Sequence, residues 1–334
     1  MSLSKERAEE LLGSFKTKRI LVVGDAFVDT YVEGEIERLN PESHHVHLLR
    51  VGKGKVQYRS GGAGNTARNL TSLGSDTSLL TIRGNDKLGE TLADCAYTEG
   101  YTPYTVADVY AGVKRPTIEK RRYVTKDGVL LRVDYEPEES TQPMSDHFVS
   151  LLLQQADAIL DHVDAVLVSD YGKGMLTEKF CNEFLDMVQS RNLLLLADVK
   201  PRQAGHFVGV EMMAPNLKEA SESLGKSPTS NPEEIASLLA KRLNTEVFLT
   251  AGEQGICVAN KTDPVLMVRQ MHRVKIGDTS GCGDTAAAAI LLAKLAGATS
   301  EEAAEFANAA AAVTVSMVGA YAPTPAEVLR MLAS

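Results

Sequence analysis

The sequence predicts an α/β fold, a mostly parallel central sheet with helices on both faces. Three observations predict it. Short apolar runs rich in β-branched residues recur at the length of a strand buried on both faces. Helix-like segments lie between them, which is the pattern of parallel strands joined by crossovers. With 334 residues, 44% hydrophobic and 24% charged, the chain is long and apolar enough for one large core.

The strands are expected at 19–24 (RILVVG), 77–82, 163–169, 193–198 and 246–250. The helices are expected at 63–73, 87–99, 146–161, 178–191 and 232–243. Two stretches, about 31–59 and 106–136, instead show short alternating patterns such as HVHLLRV and VLLRVDY. Alternation with one polar face suits a small antiparallel layer, inserted twice as a lid on a single domain spanning 1–334. The uncharged stretch 306–326 is Ala-rich but carries Asn308, Ser316, Gly319 and two prolines, so it reads as a buried helix and turn, not a membrane span.

Composition narrows the function classes. Lys and Arg number 35 against 44 Asp and Glu, a formal charge of −9 that argues against a general nucleic-acid binder. Four widely spaced cysteines form no CxxC pair, so neither a disulfide framework nor a zinc knuckle is indicated. The charged start lacks the apolar core of a signal peptide. A cytoplasmic protein without membrane or nucleic-acid partners is expected.

The sharpest motif is KIGDTSGCGDT at 275–285, followed by an Ala-rich helical run. Gly281, Cys282 and Gly283 form a turn feeding a helix N-terminus, where converging amides and the helix dipole make an anion hole. Asp284 stands at that helix start. It is either an ordinary N-terminal helix acid or a base that accepts a hydroxyl proton beside a transferring phosphoryl group. A second glycine turn, SGGAGNTARN at 60–69, offers Gly61 and Gly62 for close backbone approach and Asn65 to meet hydroxyls.

DTSGCGD resembles the C-terminal signature of the PfkB carbohydrate kinases, the ribokinase-like family, usually DTxGAGD, with Cys282 in place of Ala. SGGAGN resembles the N-terminal signature, and the likeness runs from about residue 18 to 325. It implies a three-layer α/β/α ribokinase-like domain with a β lid, ATP and Mg²⁺ as cofactors, and Asp284 as base. Asp29 in GDAFVDTY is implied to contact sugar hydroxyls with Gly61, Gly62 and Asn65. Asn216 and Glu219 in APNLKEA resemble an N-x-x-E element near Mg²⁺ and its waters, although the same spacing also makes a capping box. Thr250, Gly252 and Gly255 resemble the nucleotide loop, or form a plain hairpin. Lys200 is implied near the nucleotide phosphates, Asn308 beside adenine, and Asp278 and Ser280 at a monovalent cation such as K⁺.

Within the family, GDAFVDTY, NPES, PTIEKRRYV, LLRVDYEPE, VSDYGKG and DVKP are most similar to the heptose 7-phosphate kinases of lipopolysaccharide-precursor (ADP-heptose) synthesis. That implies transfer to the C1 hydroxyl of D-glycero-D-manno-heptose 7-phosphate, giving the 1,7-bisphosphate. Asp170 and Lys173 would then serve the sugar, while Lys120, Arg122 and Arg132 would serve its phosphate. Another sugar, sugar-phosphate or nucleoside kinase is the alternative, and a non-catalytic sensor a further one. No H-x-G-H nucleotidyltransferase motif occurs, so phosphorylation alone is expected. The lid suggests a homodimer, with His44, His45 and His47 lining the lid or its dimer face. A thiol at a helix N-terminus can have a lowered pKa and raised reactivity, so Cys282, if exposed, should react with iodoacetamide and be protected by ATP.

Overall fold

The computed structural model describes residues 3–40, 43–107, 115–227, 231–272 and 274–333. Helix α1 (Lys5–Phe15) starts at Ser4, whose side chain accepts from the Arg7 amide, and buries Ala8, Leu11, Leu12 and Phe15 at helical spacing. Strand β1 (Arg19–Gly24) follows, and its alternation defines the architecture. Ile20 and Val22 enter one apolar core, Leu21 and Val23 the other. The sheet therefore lies between two helical layers.

Next come β2 (Ala26–Asn40), β3 (Ser43–Gly62), α2 (Ala63–Leu73), β4 (Asp76–Arg83), α3 (Lys87–Glu99) and β5 (Thr102–Ala107). They are followed by β6 (Glu119–Thr125), β7 (Gly128–Tyr135), α4 (Asp146–Leu160), β8 (Ala165–Ser169), α5 (Glu178–Ser190), β9 (Leu194–Asp198) and β10 (Met212–Met213). The chain ends with α6 (Leu217–Ser223), α7 (Pro232–Leu243), β11 (Glu246–Thr250), β12 (Gly255–Ala259), β13 (Leu266–Arg269), α8 (Cys282–Leu295), α9 (Ser300–Ser316) and α10 (Pro325–Leu332).

Among the described residues the main sheet has nine strands, ordered β13-β12-β11-β10-β9-β8-β1-β4-β5. From β5 to β11 neighbours run parallel, and β12 and β13 add an antiparallel edge. Helices α1, α2, α8 and α9 bury one face, and α4, α5 and α7 the other. The five expected strands and five expected helices all form, with ends shifted by two residues at most. The carboxyl ends of β1, β8, β9 and β11 open on one side, the usual place for a ligand in such sheets.

A second sheet, ordered β3-β2-β6-β7, stands beside that opening. Its base is buried, whereas Ile36, Leu39, Tyr58, Leu130 and Leu131 are exposed on its outer part. Its limits differ from those expected. Pairing in the first segment starts at Ala26 and runs to Gly62, and the expected second segment begins too early. Val106 and Ala107 end β5, which pairs parallel with β4 in the main sheet. As a half-buried edge strand, β5 alternates in polarity much as a lid strand does. His47 is exposed on β3, while the side chains of His44 and His45 lie outside the described parts.

Candidate active site

Asp284 occupies the first turn of α8 and is 5% exposed. Its Oδ2 accepts a 2.6 Å hydrogen bond from Asn65 Nδ2 on α2. Its Oδ1 accepts from the Tyr171 hydroxyl at 2.6 Å and from the Thr66 hydroxyl at 3.2 Å. Burial raises the carboxyl above the ordinary range, while these three donors and nearby Lys200 oppose the rise. The two glycine motifs thus meet at one carboxylate.

The backbone makes the meeting possible. Gly281, the N-cap of α8, has φ 80°, and a Cβ there would lie 2.7 Å from Asn65 Nδ2. Gly62 has φ 62°, and a Cβ on it would come within 2.4 Å of the Asp25 carbonyl. Gly61 lies so close to Asp29 that its Cβ would stand 2.7 Å from Oδ2. Arg68, not anticipated, bonds Asn65 Oδ1 and the Ala320 carbonyl, holding the Asn65 amide in the orientation that donates to Asp284.

On the lid, Asp29 and Arg122 form a buried ion pair. Arg122 also lies 5.4 Å from the centre of the Tyr31 ring. Lys120 stands opposite Asp29 in the register, with Nζ 4.0 Å from the Phe27 ring centre and 3.8 Å from Glu136. Burial, then Arg132, lowers the Lys120 pKa. Arg132 faces Arg122 across the β6–β7 pair but is half-exposed and clamped in two bonds, 2.6 and 2.7 Å, to Asp134.

The turn after β8 is built on Asp170. Asp170 Oδ1 accepts from the Gly172 amide at 2.7 Å and Oδ2 from the Lys200 amide at 3.0 Å. Its carboxylate joins two loops. The motif showed a carboxylate after a strand but not the amides that would capture it. Lys173 Nζ pairs with Glu136 at 2.7 Å, beside Lys120. Two residues here were missed: Tyr171, and Asp25, which accepts from the amides of Tyr171, Lys173 and Met175. The signal for Asp25 was an acid immediately after β1. For Tyr171 it was a large ring inside the SDYGKG phrase.

On the other side of Asp284 lies a cavity of about 730 Å³. Thr250, Gly252 and Gly255 form one wall and Cys282 and Gly283 another, with Ala286 and Ala312 behind them. The hairpin reading of 246–259 also holds, since β11 and β12 pair antiparallel while the turn between them lines the cavity. Asn308 is buried at the far wall, donating to the Val268 carbonyl at 3.0 Å. Asn216 and Glu219 complete the capping box at the start of α6, and Glu219 Oε1 also takes a 2.6 Å bond from Lys200 Nζ. The capping-box reading of that motif therefore holds. Burial lowers the Lys200 pKa but is outweighed by Glu219, then Asp198, for a net rise. Asp198, at the end of β9, is pushed well above the carboxylate range by burial, then by Glu219 and Asp284.

Asp278 Oδ1 accepts from the Ser280 amide at 2.8 Å and Oδ2 from the Gly319 amide at 3.2 Å, closing the loop that precedes α8. Cys282 contradicts its expectation. Burial, then Asp278 and Asp284, pushes its thiol up to about 11.

The sequence profile of the pfkB family carbohydrate kinase matches residues 18–327. Bifunctional protein HldE of Helicobacter hepaticus (strain ATCC 51449 / 3B1) is 31% identical over 320 residues, 95% of this chain and 64% of the relative. The protein of the same name from Bradyrhizobium sp. (strain ORS 278) is 31% identical over 332 residues, 97% of this chain and 65% of the relative. The chain spans just under two thirds of the length of these relatives. Among solved structures, phosphofructokinase-2 of Escherichia coli in complex with potassium aligns with a TM-score of 0.76 at 17% identity, covering 95% and 99% of the two chains. Arabidopsis thaliana ribokinase complexed with ribose and ATP aligns at 0.68 and 22%, with coverage of 95% and 99%. The fold is thus the three-layer ribokinase-like one.

Proposed function

This chain belongs to the pfkB family of carbohydrate kinases and is a phosphotransferase acting on an alcohol group, and from that premise we propose that its acceptor is the C1 hydroxyl of a heptose 7-phosphate. ATP donates the γ-phosphoryl group and the product is the 1,7-bisphosphate. The observation that carries the reading is Asp284, buried at a helix N-terminus between the lid base and a 730 Å³ cavity sized for a nucleotide.

Asp284 takes the hydroxyl proton as the alcohol oxygen attacks the γ-phosphorus. The bond to the β-phosphate oxygen breaks and ADP leaves. Amides of Gly281, Cys282 and Gly283 steady the charge on the moving group. ATP occupies the cavity, with Lys200 toward its phosphates, Asn216, Thr250, Gly252 and Gly255 along it, and Asn308 at the base. Asp29, Asn65 and the Gly61–Gly62 backbone hold the sugar. Lys120, Arg122, Arg132 and Lys173 supply positive charge for its phosphate.

Mg²⁺ fits the acidic Glu219–Asp198 corner, where burial, then the charges of Glu219 and Asp284, raise Asp198 and a cation would relieve the repulsion. Mg²⁺ usually keeps several waters and leans on one or two carboxylates plus substrate phosphates. When bound it would neutralise charge on the β- and γ-phosphates. A potassium ion is assigned to the Asp278–Ser280 turn. The exposed apolar lid residues are the face through which two copies pair. Among the described residues no helix is long and apolar enough to cross a membrane, and action in the cytoplasm is proposed.

A coupled ADP-release assay with heptose 7-phosphate, fructose 6-phosphate, ribose and adenosine tests the reading. Heptose 7-phosphate should give the highest kcat/KM. A preference for any other member would replace the acceptor, and no turnover on all four would remove it.

A further inference from the structure

We propose that Tyr171 is a positioning residue that assigns the proton-accepting role to a single oxygen of Asp284. The inference rests on Asp284 being the base, and it goes on to say which of its atoms acts. An ionised carboxylate offers about four acceptor positions, two on each oxygen. On Oδ1 both are filled, by the Tyr171 hydroxyl at 2.6 Å and the Thr66 hydroxyl at 3.2 Å. On Oδ2 one is filled, by Asn65 Nδ2 at 2.6 Å. Among the described residues, the remaining position lies on Oδ2. A sugar hydroxyl delivered to this carboxylate meets only that vacancy, so the carboxylate cannot turn and still keep its donors.

The tyrosine is held for this task. Its loop is clamped from below by Asp25, 2% exposed, which gathers the amides of Tyr171 at 3.2 Å, Lys173 at 2.9 Å and Met175 at 3.2 Å. Asp170 ties the same turn to the strand β9 loop through Gly172 and Lys200. The ring packs edge-on against Phe27, with centroids 5.5 Å apart. Lys200 Nζ lies 5.6 Å and Lys120 Nζ 5.9 Å from the ring centre, so the tyrosine stands between a cation on the cavity side and one on the lid side. A phenol bonded to a carboxylate stabilises its charged form. The other charged or titratable groups facing Asp284 are Lys200, Asp198 and Cys282. None of them donates a hydrogen bond to it, so the hydroxyl's removal is the change that reaches Asp284 most directly.

Tyr171→Phe keeps the ring and deletes the donor. The expected result is a fall in kcat of roughly 10- to 100-fold, the range for a slightly misplaced catalytic group. KM for ATP and thermal stability should change little. The acid limb of the kcat profile should also move to higher pH, because the charged form of Asp284 has lost a donor. A merely structural tyrosine would not move that limb. Wild-type kcat with an unmoved limb in Tyr171→Phe would overturn the proposal. Asp284→Asn, run in parallel with the preferred sugar, separates the two layers. If it keeps near-normal turnover, the base itself is wrong. If it is inactive while Tyr171→Phe behaves as wild type, only the role of Tyr171 is wrong. Should Tyr171→Phe prove unstable, Thr66→Val tests the same oxygen, with a smaller loss expected and no loss overturning the assignment.

Discussion

Asn65 and Asp284, 219 residues apart in the chain, are joined by a 2.6 Å hydrogen bond between α2 and α8. Asn65→Ala should therefore act on both sides of the reaction. It removes a donor from the base and leaves Arg68 without one of its two acceptors. A rise in sugar KM together with a fall in kcat of about 10-fold or more is expected, measured by steady-state kinetics. A change in KM alone would mean that Asn65 serves the sugar but not the base.

Asp284→Asn should bind ADP as the parent does, by calorimetry, while turnover falls at least about 10²-fold. The fold should survive at some cost in stability, since the amide oxygen can still accept from Tyr171 and the volume is unchanged while its NH2 meets the Asn65 donor.

Gly281→Ala combines a φ of 80° with a methyl 2.7 Å from Asn65 Nδ2. Strain of roughly 1–3 kcal/mol is expected in denaturant unfolding, with loss of activity as Asn65 is displaced. Gly283 is the internal control, because a Cβ there meets nothing within 4 Å. Gly283→Ala should be close to neutral for stability.

Arg122→Ala strands Asp29 as a buried charge at the base of the lid. Destabilisation of about 3 kcal/mol or more is expected from breaking such a pair. The double change Arg122→Ala with Asp29→Ala should recover part of that loss while remaining inactive on the sugar.

Cys282 should label slowly with iodoacetamide near neutral pH, and faster as pH approaches its value of about 11. Cys95, Cys181 and Cys257 are buried and raised as well, so mass spectrometry should find little modification anywhere. Rapid labelling that ATP suppresses would contradict the burial argument.

Burial, then the neighbouring charge of Asp170, raises Asp25 from 3.8 to about 6. The folded chain therefore holds this proton more tightly than the unfolded one, and between about pH 4 and 6 the contribution of Asp25 to stability falls as pH rises. Asp25→Asn should remove that slope from urea-unfolding curves. It should also destabilise at neutral pH by roughly 1–3 kcal/mol, because an amide sets donors against the three amides the carboxylate now satisfies.

Local chemistry was readable from sequence. The glycine turns, the capping box at Asn216 and the buried strands each depend on neighbours within a few residues, and all of them form. What stayed hidden depends on partners brought from afar. Tyr171 finds Asp284 across 113 residues, and Asp25 collects amides about 150 positions away. The amide partners of Asp170 were hidden for the same reason, since nothing local says that the Lys200 amide will arrive at its second oxygen. Cys282 was misread because a helix terminus is visible in sequence and desolvation is not. The short strand β10 carries only two residues, too few for any periodicity to show.

Ala286, Ala311 and Ala312 give the cavity beside Asp284 a stretch of methyl-lined wall among the larger side chains of Ile256, Val274, Ile276 and Val315. An apolar wall offers shape without grip, so on the proposed nucleotide reading any discrimination among bases falls to polar lining residues such as Asn308 and Gln270. It also means that the space can be retuned one carbon at a time. Valine at position 286 or 312 should shrink the accommodated base, giving a kinase whose choice of phosphoryl donor is separable from its choice of sugar.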